Sequence, residues 1–269
     1  VGTMSTGKLM DRYKIERKDS MALRLLGTDN YKSWNEFRTI FSDTKLKKMN
    51  IGLVSQGLKY CRHFHYLVTK CWEDNRSWRE QNNLMTAIGQ FFFSFIAHVP
   101  LIGNKLEQFL FFHANVDYQK EIEKSLLASH KMLKDLESDF VYIHLMVPHA
   151  PFFYISKSDS FTKVDQGYSF YHENLVFLDK IIGEMRRSME TEGIWDVSTI
   201  VLTSDHHLRV LKTSDVRVPF IVKLPGQTQG FEYKKQFNVG RVVRKLIDES
   251  TSFRLKEVSD VIRVVEGNW

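Results

Sequence analysis

Hydrophobic and polar positions along this chain form blocks that predict a succession of helices and strands. Short runs rich in β-branched residues predict buried strands, and these runs are residues 50–55, 140–145, 199–203 and 219–223. Segments with apolar residues at helical spacing predict amphipathic helices, and these are residues 34–47, 118–137 and 239–248. A longer helix carries an apolar stripe from Leu175 to Met189 and is predicted to end at Gly193. Residues 76–115 are apolar and aromatic and predict helices packed on one another.

This alternation of helices and strands predicts an α/β fold with a mostly parallel sheet and helices on both faces. With 269 residues, 43% of them hydrophobic and 26% charged, the chain is long and apolar enough to bury a full core. No internal repeat, low-complexity stretch or long linker interrupts the pattern. We therefore expect a single domain over residues 1–269.

The net charge of +6 fits an anionic substrate or a membrane surface. The basic residues are scattered, with no arginine-rich arm, so no nucleic-acid partner is expected. The longest apolar stretch, residues 88–103, is shorter than the roughly 20 residues of a membrane span. Because it also contains Gln90 and His98, we expect a buried or interfacial segment. No signal peptide is visible, and the chain opens VGTMSTGKLM without an initiator methionine, so we expect a piece of a longer protein.

Two cysteines, Cys61 and Cys71, lie in the segment YCRHFHYLVTKCWE. They could close a small loop as a disulfide, or they could be two separate thiols. A disulfide would indicate an oxidising compartment.

Polar clusters follow two of the predicted strands, where open α/β sheets place their ligands. The first is HLMVPHAPFFY, residues 144–154, in which His149 is flanked by Pro148 and Pro151. It could meet a substrate, or it could be a loop histidine that only bonds the backbone. The second is SDHHLR, in which Asp205 offers a hard oxygen and His206 an imidazole nitrogen to a cation.

Four motifs in this order resemble the sulfatase-like branch of the alkaline phosphatase superfamily. They are HxxxPHxP at His144–Pro151, YxxNLxxLDxxIGxM at Tyr171–Met185, GxWDxSTIVLTSDH at Gly193–His206 and VPFIVKLPG at Val218–Gly226. Upstream, residues 33–55 are similar to the helix that leads into a strand in this family, and STGK, residues 5–8, resembles the tail of the family's nucleophile helix.

The resemblance implies roles for the residues that match these motifs. Asp205 and His206 match metal ligands, and His149 matches a histidine that contacts the sulfate or phosphate oxyanion. His144 matches the strand-end histidine of the same motif, and His207 stands where glycine is common and could add a substrate donor. The implied cofactor is a divalent metal, with calcium, manganese and zinc left open.

Residues outside those matches carry weaker expectations. Arg209 and Lys223 lie near strand ends and could contact an anionic substrate, although a surface position explains both. Asn174 and Asp179 lie beside the apolar stripe of the long helix, where capping or packing roles are expected.

One part of the family pattern is missing. The family's first strand and its Ser, Thr or modified Cys nucleophile precede the Thr-Gly turn, and Thr6-Gly7 leaves no room for them. Neither Cys61 nor Cys71 lies in the Cys-x-Pro-x-Arg context of a modified nucleophile. We therefore expect no nucleophile in this chain and a sheet without its first strand.

The function implied by the resemblance is metal-dependent hydrolysis of a sulfuric or phosphoric ester, in an extracytoplasmic compartment. His149 would donate to an oxygen of the ester or act as a general acid. One alternative is a phosphoglycerol or phosphoethanolamine transferase of the same fold acting at a membrane. Another is a non-catalytic fragment or binding module that keeps half of the metal site.

Overall fold

The structure is a computed structural model. It describes residues 10–17, 20–25, 27–33, 39–42, 49–58, 60–74, 119–162, 166–207, 217–250 and 256–267. The chain divides into two compact units, one formed by Val1–Met49 with Glu190–Trp269 and the other by Asn50–Met189. The expectation of a single domain stays a prediction.

Strands and helices are numbered in chain order over the described residues. The strands are β1 Met10–Arg17, β2 Ser20–Leu25, β3 Tyr31–Ser33, β4 Ile51–Ser55, β5 Lys70–Glu73, β6 Phe140–His144, β7 Tyr154–Ile155, β8 Ser160–Phe161, β9 Ile200–Thr203 and β10 Phe220–Lys223. The helices are α1 Tyr60–Phe64, α2 at residues 119–133, α3 Tyr171–Thr191, α4 Val239–Ser250 and α5 Val258–Glu266.

A three-stranded parallel sheet in the order β5-β4-β6 forms the centre of the Asn50–Met189 unit. All five residues of β4 are buried, which is typical of a central parallel strand covered on both faces. The strands expected at 50–55 and 140–145 are confirmed. The mixed α/β architecture with a parallel sheet is confirmed with them.

Helix α2 packs closely on the sheet at Gly52. A Cβ atom at Gly52 would lie 2.4 Å from the Met132 sulfur, so only glycine allows this approach. The buried face of α2 includes Ser125 and Ser129, whose hydroxyls donate to main-chain oxygens of the helix at 2.7 Å. The helix expected at 118–137 is confirmed at residues 119–133, but two apolar residues of that segment face solvent: Leu127 is 71% exposed, and Leu136 lies beyond the helix and is 67% exposed.

Helix α3 buries a face that begins one position before the predicted stripe. Asn174, Phe177 and Ile181 are buried, whereas Leu175 is 41% exposed. Phe177 and Ile181 join a hydrophobic core that also contains Ile122, Val147, Phe153 and Tyr154. The predicted end of the helix is confirmed, because Gly193 follows it with φ +70°.

In its described residues, the other unit contains two antiparallel sheets and two helices. Strands β1, β2 and β3 form a meander that the pattern analysis did not predict. Strands β9 and β10 confirm the runs at 199–203 and 219–223, but they pair antiparallel. The predicted helix at 239–248 is α4, which packs with α5 around Leu224, Val242, Leu246, Val264 and Val265. The described sheets therefore include both parallel and antiparallel strand pairs.

Several predictions fall outside the described residues. They include the opening STGK, the helices expected at 76–115, the apolar segment 88–103 and most of the helix expected at 34–47, of which only the short turn Ile40–Ser42 is described. Among the helices that the structure does describe, none is long and apolar enough to cross a bilayer.

Candidate functional site

Polar residues gather where the three parallel strands end. His144 is the last residue of β6, while Gln56 follows β4 and Asp74 follows β5 directly. Because the strands are parallel, these three positions share the carboxyl edge of the sheet, the usual place for ligands in open α/β sheets. Gln56 and Asp74 are buried. Of the three, only His144 was predicted from the sequence, although Gln56, which directly follows the apolar run at 50–55, was a readable signal.

The imidazole of His144 is oriented by its neighbours. Its Nδ1 donates to the Gln56 carbonyl oxygen at 3.0 Å. The ring of Tyr60 lies edge-on to the imidazole, with 6.0 Å between the ring centres. Since a carbonyl can only accept, Nδ1 carries the proton, and Nε2 holds the lone pair of the neutral ring.

His149 is exposed on a loop that is tied to the rest of the unit at several points. Its backbone N–H donates to the Met146 oxygen at 2.8 Å, and its Nδ1 donates to the Ala150 oxygen at 2.7 Å. The side-chain amide of Asn174 on α3 donates to the carbonyl oxygens of His149 and Pro151, both at 3.3 Å. These bonds therefore define the backbone conformation of the loop at His149 and the tautomer of the His149 ring.

Asp205, His206 and His207 lie directly after β9 and are all half-buried. The Ser204 hydroxyl donates to the His206 oxygen at 2.8 Å. His206 Nδ1 donates to the His207 oxygen at 2.7 Å, and its Nε2 lies 3.8 Å from Asp205 Oδ1. This last separation is too long for a hydrogen bond.

The donor atoms of the Asp205–His206 pair are of the kind that binds divalent cations. Two ligands at roughly 2.0–2.2 Å from one ion cannot be more than about 4.4 Å apart, and the two atoms meet that limit. A histidine that binds a metal through one nitrogen usually donates the other N–H to a carbonyl, as His206 does. Over the residues that the structure describes, however, no group of three or more His, Cys, Asp or Glu side chains could hold a metal.

The remaining predicted substrate contacts have different outcomes. The structure places His207 beside His206, and Arg209 lies outside the described residues. The Lys223 ammonium donates to the carbonyl oxygens of Trp195 and Ser198 and lies 5.2 Å from the centre of the Trp195 ring. Lys223, which belongs to β10, thus binds the turn that precedes β9.

Cys61 and Cys71 form a disulfide that joins α1 to β5, with 5.8 Å between the two Cα atoms. Beside it, Glu73 accepts a hydrogen bond from the Cys61 N–H at 2.9 Å. The bridge therefore fixes α1 next to the strand whose end carries Asp74.

The predicted site residues fall into two groups, one in each compact unit. His144 and His149 belong to the Asn50–Met189 unit, and Asp205, His206 and His207 belong to the other unit. The roles proposed for these residues rest on each group by itself.

A carboxylate near the His149 loop has a shifted pKa. The Ser156 N–H donates to Glu173 at 2.6 Å, and the His172 imidazole lies 3.1 Å from the same carboxylate. The hydrogen bonds from Ser156, assisted by His172, lower the pKa of Glu173 below its usual value. Glu173 therefore anchors the chain that follows the loop to the first turn of α3.

Comparison with known proteins relates the chain to one family. A family model described as Sulfatase matches residues 34–248, which is more than half of the chain. Comparison with curated proteins and comparison with solved structures give no match.

Proposed function

The chain belongs to the sulfatase family, a family of hydrolase-type enzymes, and from that premise we propose that it serves the metal-dependent hydrolysis of a sulfuric or phosphoric ester. The observation that carries this proposal is the Asp205–His206 pair at the end of β9. It combines a carboxylate oxygen with an imidazole whose other nitrogen is bonded to a carbonyl.

Asp205 and His206 are the residues that would hold the metal. A bound divalent ion would lower the pKa of a nucleophile and neutralise charge on the ester oxygens. The bond from His206 Nδ1 to the His207 oxygen keeps the ring from turning and leaves Nε2 as the ligand atom. Zinc, manganese and calcium remain the candidate ions.

His149 is proposed to bind an oxygen of the ester group. Its Nδ1 proton is engaged by the Ala150 oxygen, so Nε2 is the atom that would meet the substrate. A protonated Nε2 donates a charge-assisted hydrogen bond to an anionic oxygen and can pass its proton to a leaving group. We assign His144 a supporting role at the same sheet edge.

The proposed substrate is an anionic sulfate or phosphate ester, and the net charge of +6 supports this choice. We propose an extracytoplasmic location, which the Cys61–Cys71 disulfide supports because disulfides persist in oxidising compartments. A membrane surface as a further partner stays a prediction.

Metal binding tests the proposal directly. We expect zinc, manganese or calcium to bind the chain in calorimetric titrations, and Asp205→Ala and His206→Ala each to weaken binding at least tenfold. Even partners that only orient a metal ligand are worth about 10- to 100-fold in affinity. His172→Ala is the matched control, because His172 also lies beside a carboxylate but on α3.

The controls separate the rival functions. Equal metal affinity in wild type, Asp205→Ala and His206→Ala would overturn the metal site. If the full-length protein binds a metal but releases no sulfate or phosphate from aryl esters, a binding module is favoured. Transfer of the group to an added alcohol would favour the transferase.

A further inference from the structure

Two buried side-chain amides hold the histidine segment, defined as residues 144–151, from its two ends. Gln56 lies at the start of the segment and is 1% exposed. Asn174 of α3 lies at its end and is 5% exposed. Neither residue has a role in the proposed chemistry, so both require an explanation.

Gln56 makes three hydrogen bonds with the first residues of the segment. Its backbone N–H donates to the His144 oxygen at 2.9 Å, and its carbonyl accepts from His144 Nδ1 at 3.0 Å. Its side-chain Oε1 accepts from the Met146 N–H at 3.0 Å. The bond to Met146 also fixes which way the amide faces, because a flipped amide would turn its NH₂ group toward another N–H.

The amide nitrogen of Gln56 has an unusual environment. Gln56 Nε2 is buried and makes no hydrogen bond with any part of the chain that the structure describes. An unmade buried hydrogen bond is unfavourable, and an apolar side chain of the same size would avoid that penalty. The bond from Oε1 to Met146 is therefore the best reason for a glutamine at this position.

Asn174 satisfies the far end of the segment. Its NH₂ group has two hydrogens, and the carbonyl oxygens of His149 and Pro151 each lie 3.3 Å from Nδ2. Between the two amides, the His149 N–H donates to the Met146 oxygen at 2.8 Å. A continuous series of hydrogen bonds thus runs from Gln56 through Met146 and His149 to Asn174.

We propose that Gln56 and Asn174 are positioning residues that fix the direction and the tautomer of the His149 imidazole. The backbone that they hold includes the Ala150 carbonyl, which accepts the Nδ1 proton of His149. If that carbonyl turns away, the ring loses the bond that directs its lone pair to Nε2. The use of this orientation for binding an ester oxygen rests on the proposed function.

The test compares variants that remove the polar atoms and nearly keep the volume, namely Gln56→Met and Asn174→Leu. Imidazole ¹⁵N spectra of wild type should show one neutral His149 tautomer, protonated at Nδ1. Each variant should show a mixture of tautomers. Inorganic sulfate, titrated against the same proteins, should bind roughly fivefold more weakly in each variant, which corresponds to one net hydrogen bond.

Matched controls exist in the other unit. Gln227 accepts from the Leu224 N–H through its side chain, and Asn238 accepts from the Arg241 N–H at the start of α4. Gln227→Met and Asn238→Leu therefore remove comparable bonds and should leave the His149 tautomer unchanged. A change in these controls equal to that in the test variants would overturn the proposal.

Two further outcomes are decisive. The proposal is wrong if the Gln56→Met and Asn174→Leu proteins fold and keep the wild-type tautomer of His149. Hydrogen exchange of the wild-type protein gives a test that needs no variant. A Met146 amide that exchanges as fast as an exposed amide would also contradict the proposal. If the tautomer shifts but wild type binds neither sulfate nor phosphate, the positioning role stands and the oxyanion role of His149 fails.

Discussion

Three of the candidate histidines donate their Nδ1 proton to a main-chain carbonyl oxygen. The acceptors are Gln56 for His144, Ala150 for His149 and His207 for His206. Two exposed histidines, His65 and His172, make the same kind of bond within a helical turn. The bond alone therefore does not distinguish the candidate histidines, which were predicted from their positions at or after the end of a strand. That position was readable from the sequence, whereas the acceptor of each proton was not.

The carboxylate of Glu173 leads to a prediction at the same scale. The Ser156 N–H lowers the pKa of Glu173 in the folded protein. The contribution of Glu173 to the free energy of unfolding is therefore present above the unfolded pKa, about 4.3. It disappears as the pH falls through the lower pKa of the folded protein. Glu173→Gln should be less stable than wild type at pH 7, and the two should converge near pH 2. Urea unfolding midpoints measured across this range test the prediction, and a gap independent of pH would contradict it.

Helices α2 and α3 show how far periodicity predicts an element. Their existence and approximate length follow from apolar spacing, which is a local property of the chain. Their buried faces also depend on what they meet. In α2, Ser125 and Ser129 are buried together with Met132, which meets the sheet at Gly52, and Leu127 faces solvent. Polar residues can be buried there because their hydroxyls bond to the helix itself.

Two glycines of the α3 region should respond to alanine in opposite directions. Gly183 lies inside the helix, where an added Cβ would make ordinary contact with Arg187 at 3.6 Å, so Gly183→Ala should stabilise by about 0.5–1 kcal/mol. Gly193 has φ +70°, so Gly193→Ala should destabilise by about 1–2 kcal/mol. Hydrogen exchange of the α3 amides measures the change in stability for each variant. Changes of the same sign in the two variants would contradict this prediction.

On the scale of the whole molecule, the family match covers all of the Asn50–Met189 unit and part of the other unit. Each unit contributes one group of candidate residues at the end of a strand. In the Asn50–Met189 unit, the Cys61–Cys71 disulfide joins α1 to β5 beside the parallel sheet. The sequence analysis left disulfide and free thiols open, because spacing along the chain does not determine whether two Cβ atoms face each other.

Removal of this disulfide should destabilise the parallel sheet. Replacing both Cys61 and Cys71 with serine should lower the free energy of unfolding by roughly 2–3 kcal/mol, the loop-closure value for a loop of this length. Hydrogen exchange of the β4 and β5 amides is the measurement. Wild type treated with a thiol reductant should match the double variant, and unchanged protection in both would refute the expected contribution.

The sequence by itself determined the positions of β4, β6, β9, β10 and helices α2, α3 and α4, and the family that the motifs resemble. These properties are local, because side chains repeat every two residues in a strand and every 3.6 in a helix. Only the tertiary structure decided the antiparallel pairing of β9 with β10, the burial of Ser125 and the burial of the Gln56 and Asn174 amides. Each of these depends on partners far away in the chain, and no periodicity in the sequence encodes which partner a residue will meet.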